Sequence, residues 1–234
     1  MWTRSELKLN AKNVLRRTYW TGFAVCLIGG LLAGVAYSPT TLQTFQIQFN
    51  IQFPLAVVSL VGIISLLFSV FIVAPLAVGM NGFFMRSREY DVSSGKIFSF
   101  FSNKNYGNII ITMFLKSIFQ YLWTLLLIIP GIIKGFEYYF IPYILAENPA
   151  LDNKRIFELS KRMTDGIKFK IFVLQLSFFG WNLLGMLACC VGTYFVAPYI
   201  SATFAELYAA QRMEALTSGI ATEQELCGFL SDEI

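Results

Sequence analysis

Histidine is absent from all 234 residues. The commonest acid–base side chain and the commonest zinc ligand are therefore both missing. Cysteine is scarce, and Cys26, Cys189, Cys190 and Cys227 show neither a CxxC pair nor metal-ligand spacing. Cys26 and the Cys189–Cys190 pair lie in or beside apolar runs, where thiols pack as small hydrophobes, so no disulfide framework is expected. Catalytic signatures are lacking too: there is no GxSxG, HExxH, dinucleotide fingerprint or pair of carboxylates at a useful spacing. The "SSGKI" at 93–97 lacks the upstream glycine and the Ser/Thr after lysine that a phosphate loop requires. The chain reads as a non-enzyme with no cofactor, no metal and no nucleic-acid partner.

Charge is the other deficit. Only 14% of residues are charged while 56% are hydrophobic. Soluble domains carry about 25% charged residues, so this chain cannot cover itself with a wetted surface. The pattern is that of an all-α, polytopic integral membrane protein. Apolar runs at 19–37, 55–85, 107–129, 131–146, 169–188 and 192–210 read as six membrane segments in three hairpins. The second is long enough to continue beyond a bilayer, and the fourth is short and broken.

Basic residues set the orientation. Arg4, Lys8, Lys12, Arg16 and Arg17 precede the first run, and Arg86, Arg88, Lys96 and Lys104 follow the second. Lys154, Arg155, Lys161, Arg162, Lys168 and Lys170 lie between the fourth and fifth, and Arg212 follows the sixth. The opposite loop, 38–54, has no charge of either sign. Both termini are expected on the cytoplasmic side of the plasma membrane. The first run reads as a retained span, with a cleaved leader or a twin-arginine signal as the weaker alternatives.

Residues 1–18 read as an amphipathic interfacial helix on the inner leaflet, attracting anionic headgroups. Thr3-x-x-Glu6 is a capping box, and Leu7, Ala11, Val14 and Leu15 share one face. Residues 152–165 look similar, with Asp152 as cap, Ile156, Leu159 and Met163 on one face and Gly166 at the end. "FQIQFNIQF" at 45–53 alternates with period two, which hints at self-association into a homo-oligomer. Residues 211–234 form an acidic tail, read as a solvated appendage able to fold on a partner.

Proline recurs in similar company in "VAPL" (73–76), "FIPY" (140–143) and "VAPY" (196–199). With a basic stretch before each hairpin, this suggests a three-fold pseudo-repeat in which Pro75, Pro142 and Pro198 kink corresponding helices. Such kinks can free backbone carbonyls toward a cavity.

Apart from Lys170 at the edge of the fifth run, four charged residues fall inside the runs: Lys116, Lys134, Glu137 and Glu206. Each would cost about 2.5–3.5 kcal/mol at a helix centre, so each must face protein, water or a partner charge. Lys134 and Glu137 can meet on one helical face, and Lys134 is near enough to the outer end to snorkel. Lys116 and Glu206 can each reach the inner interface. The first reading of Lys134 and Glu137 is a structural pair fixing the fourth segment, aided by close contact at Gly131/Gly135 and Gly30/Gly34. The second is a polar path or ligand pocket.

"RSELK" (4–8), "YW" (19–20), "IPGIIKGFEYYFIPYILAENP" (129–149), "LSFFGWNLLG" (176–185) and "APYISATFAELY" (197–208) together resemble the DUF 975 family, a domain of unknown function. The resemblance implies a polytopic membrane protein, mainly of Gram-positive bacteria, in the plasma membrane. It brings no activity and no catalytic residue. The acidic tail and the Phe/Gln loop are not part of the family pattern. Two functions stay open: a non-catalytic scaffold, accessory or immunity component that binds lipid or a protein partner, or a small transporter with a polar site around Glu137.

Overall fold

A computed structural model describes residues 2–36, 44, 53–89, 92–187 and 191–228. The described residues are helical, with no strand. Helix α1, Arg4–Ala36, starts at the expected capping box: the Thr3 amide donates to Glu6 Oε2 at 2.8 Å and the Glu6 amide to Thr3 Oγ1 at 3.3 Å. It bends at Thr18 (φ −116°, ψ 16°), whose hydroxyl donates back to the Val14 carbonyl at 3.1 Å. A threonine bonding back one turn bends a helix, and here it separates the amphipathic part from the apolar part at the expected boundary. One expectation changes. Leu7, Ala11 and Leu15 are buried in the protein core, so this face packs on protein, chiefly the last helix, rather than on a leaflet.

Helix α2, Leu55–Phe68, passes through one π turn, Ser69–Val73, into α3, Ala74–Arg86. Pro75 explains the irregular turn, because it has no N–H and its ring crowds the carbonyl four residues back. That carbonyl belongs to Phe71, and the Tyr106 hydroxyl donates to it. The 3₁₀ helix Ser94–Ser102 then lays Ile97 and Phe100 against α3. Gly79 makes this approach possible, since a Cβ there would collide with the Ile97 carbonyl.

Helices α4 (Tyr106–Leu126) and α5 (Ile128–Glu137) form a hairpin turned at Leu127. Gly131 faces Thr124 and Gly135 faces Gln120, whose side-chain amide donates to the Gly131 carbonyl at 2.7 Å. The Gly131/Gly135 pair therefore seats α5 on α4 as expected; a Cβ at Gly30 would collide with the Tyr194 ring, whereas one at Gly34 would meet no described neighbour within 4 Å. The fourth apolar run is broken, also as expected: α5 ends at Glu137, and α6, Ile141–Glu147, restarts with Pro142 in its first turn and every residue buried.

Helix α7, Asn153–Thr164, is capped by Asp152, whose carboxylate accepts from the Lys154 amide at 3.1 Å. Ile156, Leu159 and Met163 form its buried face. Gly166 follows at φ 72°, the left-handed turn a glycine makes without strain. Helices α8 (Lys168–Leu176) and α9 (Phe179–Leu187) lead to α10 (Val191–Thr217), which runs on through Pro198. Residue 211 thus lies inside a helix, not at a boundary.

Among the described residues, four stretches are helical, long and apolar enough to cross a membrane: Arg4–Val35, Leu55–Arg86, Tyr106–Leu126 and Lys168–Met186. Of the other two expected segments, 131–146 is divided between α5 and α6, and 192–210 lies within α10. The alternating stretch 45–53 lies outside the described residues except for Phe53, as does the Cys189–Cys190 pair.

Candidate functional site

Three buried glutamates each bind a cation from a distant part of the chain. Glu137, at the end of α5, accepts from Lys134 Nζ through Oε2 and from Lys168 Nζ, at the start of α8, through Oε1, both at 2.6 Å. Its side chain is 6% exposed. The Ser160 hydroxyl of α7 donates to the Glu137 backbone carbonyl at 2.6 Å. The Lys134 ammonium, held by Glu137, lies 5.2 Å from the Trp123 ring centre.

Glu206, on α10, pairs with Arg88 Nε at 2.7 Å. Lys116 is half-buried on α4 and has no ion-pair partner among the described residues. The four singled-out residues do not form one cluster. Lys134 and Glu137 make one centre with Lys168, and Glu206 makes another with Arg88.

A third centre was not anticipated. Glu147, the last residue of α6, has a fully buried side chain. Its carboxylate accepts from Arg212 Nε at 2.6 Å, from the Tyr208 hydroxyl at 2.7 Å and from the Gly228 amide at 2.6 Å. Arg212 also donates to the Leu226 carbonyl at 2.6 Å, and the Tyr143 and Tyr208 rings stack at 5.2 Å. Glu147 directly follows the apolar run 131–146, where it resembles the first residue of a loop. The only local signal was its company, "ILAE", which continues an apolar face.

The tail is not a free appendage. Ala221 and Leu226 are buried. Arg155 of α7 grips Glu225 with Nε at 2.6 Å and Nη2 at 3.2 Å, and Nη2 also donates to the Ile220 carbonyl at 3.0 Å. Thr222 and Glu225 form the reciprocal capping bonds, at 2.9 and 3.3 Å, on a single turn. The Arg155 guanidinium holds the Glu225 carboxyl down to about 2, with the Thr222 bonds adding to it. Composition alone concealed this docking, because a tail rich in acids reads as solvated until a cation is placed opposite.

A hydroxyl from elsewhere in the chain reaches a backbone carbonyl near each of the three prolines. Tyr106 serves Phe71 before Pro75, Ser160 serves Glu137 before Pro142, and the Tyr19 hydroxyl donates to Phe195 before Pro198 at 3.2 Å. Only at Pro75 is this the carbonyl four residues back; Glu137 ends α5, and Phe195 is three residues before Pro198 in a helix that continues.

Open space gathers around Arg88. A hollow of about 170 Å³ is lined by Met85, Arg88, Glu147, Tyr208 and Arg212, among others. A wider groove of about 470 Å³ runs between the first half of α1, the Arg86–Glu89 corner and α10. Among the described residues, no three Cys, Asp or Glu side chains come together to hold a metal ion.

No curated protein and no solved structure matches the chain. A family model described as "Protein of unknown function (DUF975)" matches residues 124–214. That stretch runs from the last turn of α4 through most of α10, and it contains Lys134, Glu137, Glu147, Lys168, Glu206 and Arg212. It also contains three of the five motifs behind the resemblance, so the likeness to DUF975 proteins rests on this part of the chain.

Proposed function

We propose that the chain is a non-catalytic integral membrane protein that binds membrane lipid at its inner face, as a scaffold or accessory component. In this reading it lies in the plasma membrane with three hairpins and both termini cytoplasmic. The alternation of basic loops supports that topology, as do the long apolar helices with outward-facing side chains such as Leu60, Ile64, Leu125 and Leu184.

One observation carries the functional part. The buried glutamates are already spent on tying helices together, while uncommitted polar groups and open space lie at the Arg88 end. A transport site at Glu137 would need that carboxylate to meet water or cargo, yet two ammonium groups occupy it. The Tyr106 hydroxyl weighs the same way at Pro75, since it already occupies the Phe71 carbonyl that this proline frees.

Glu137→Gln separates the two readings. Removing one partner of a buried pair costs about 3–5 kcal/mol, so a structural Glu137 predicts a large fall in thermal stability. Native mass spectra of the gently solubilised protein should show phospholipid on the wild type and on whatever Glu137→Gln protein remains folded. A small non-lipid ligand on the wild type, lost in a variant that melts normally, would sink the scaffold reading and favour transport.

A further inference from the structure

Once the internal bonds around Arg88 are counted, three charged side chains keep spare capacity. Arg88 commits Nε to Glu206 and no other donor to any described residue. Arg17 is exposed and gives only one long hydrogen bond, 3.5 Å, to the Arg88 carbonyl. Glu89 is exposed and makes no ion pair among the described residues. All three line the 470 Å³ groove, with Asn10, Asn13 and Glu206.

The depth of this groove follows from α1. Arg17 stands immediately before the Thr18 bend. Tyr19 and the highly exposed Trp20 stand immediately after it. Tyr and Trp favour the headgroup level of a bilayer, so the groove opens at that level.

Its charges then select an occupant. Two guanidinium groups face two carboxylates, so the groove has no excess positive charge to draw a bare anion. What it offers is spare N–H donors on Arg17 and Arg88 and a spare acceptor on Glu89. A phosphate suits the first, and a primary ammonium suits the second. A quaternary ammonium has no N–H and prefers aromatic faces, and among the described residues no aromatic side chain lines this groove.

We infer that the groove binds a zwitterionic lipid headgroup of the phosphoethanolamine type, with phosphate on Arg17 and Arg88 and the ammonium on Glu89. This rests on the lipid-binding reading above and adds the headgroup.

The test is a native mass spectrometric competition on the full chain. It uses phosphatidylethanolamine, phosphatidylcholine and phosphatidylglycerol with identical acyl chains, and free phosphoethanolamine in a separate arm. Exposed charge pairs are worth up to about 1 kcal/mol, so the wild type should prefer ethanolamine over choline lipid by about two- to five-fold. Glu89→Gln should bring that ratio to about one with an unchanged melting temperature, because Glu89 holds no helix in place. Arg17→Gln should lower retention of both zwitterionic lipids.

Equal retention of ethanolamine and choline lipid by the wild type, or a preference that survives Glu89→Gln, overturns the inference. So does a preference for the glycerol lipid, which would mean attraction by charge alone. Displacement of the bound lipid by free phosphoethanolamine would overturn the lipid as its source. Retention without headgroup preference leaves the broader lipid-binding reading intact, whereas a wild type that retains no lipid overturns both.

Discussion

Two regions of this molecule solve the problem of an apolar chain in opposite ways. Helix α2, the tip of the α4–α5 hairpin and α9 turn large apolar residues outward, including Leu55, Ile63, Tyr121, Leu125, Ile129, Phe179 and Leu184. The region built from the first half of α1, α3, α6, α7, the end of α10 and the tail buries its apolar residues and its charges together. There Phe140, Ile144, Leu159 and Tyr208 pack beside Glu147 and Glu206. In the first region a helix satisfies its own backbone and its solvent accepts the side chains. In the second, order comes from bonds between distant parts of the chain. Substitutions should therefore be nearly silent in one region and severe in the other.

The greatest contrast is expected between Glu147→Ala and Leu125→Ala. Glu147→Ala leaves the Arg212 guanidinium, the Tyr208 hydroxyl and the Gly228 amide facing an empty space. Uncovering a buried ion pair in this way costs about 3–5 kcal/mol. It should also free the tail for limited proteolysis beyond Thr217. Leu125 is 71% exposed and its loss opens no cavity, so the effect should stay within about 0.5 kcal/mol. Thermal melts in a single detergent compare the two, and equal shifts would erase the distinction between the regions.

A finer test uses the proline breaks, where the two regions meet. Ser160→Ala leaves the Glu137 carbonyl without its donor in a buried setting, a loss of about 1–3 kcal/mol. Tyr106→Phe and Tyr19→Phe act at half-buried positions and should cost about 1 kcal/mol or less. The cause can be isolated at Pro75. Pro75→Ala restores an N–H able to reach Phe71, so Tyr106→Phe should cost less in that background than alone. If its cost is the same in both, the hydroxyl is not compensating for the proline.

This comparison also explains what the sequence makes legible. Local chemistry reads well: Thr3 with Glu6, Asp152, Gly166, the Gly131/Gly135 pair and the break before Pro142 are all specified within a few residues of where they act. The pairing of Lys134 with Glu137 falls in the same class, being three residues apart. Glu147 escapes because Tyr208, Arg212 and Gly228 lie 61, 65 and 81 residues away. Lys168, which lies 31 residues from Glu137, escapes for the same reason. The buried face of α1 shows a related limit. Periodicity says that Leu7, Ala11 and Leu15 share a side, but not whether protein or lipid covers it.

The smallest expected effect concerns the docked tail, where the packed region meets water. Glu225 titrates far below its ordinary value of 4.5 because Arg155 stabilises the carboxylate. A carboxyl whose folded value is depressed contributes stability above its unfolded value, and that contribution fades as pH falls toward the folded one. The Arg155–Glu225 tie should therefore be constant from neutral pH to about 4.5 and weaken between there and about 2. A nitroxide at Glu223→Cys, with the native cysteines replaced, should report restricted motion down to about pH 4.5 and rising mobility below it. Glu225→Gln should be more mobile at every pH and lose the transition. The change should be modest, because Leu226 remains buried and Gly228 still donates to Glu147. A tail that is fully mobile at neutral pH would return it to the solvated class that its composition suggests.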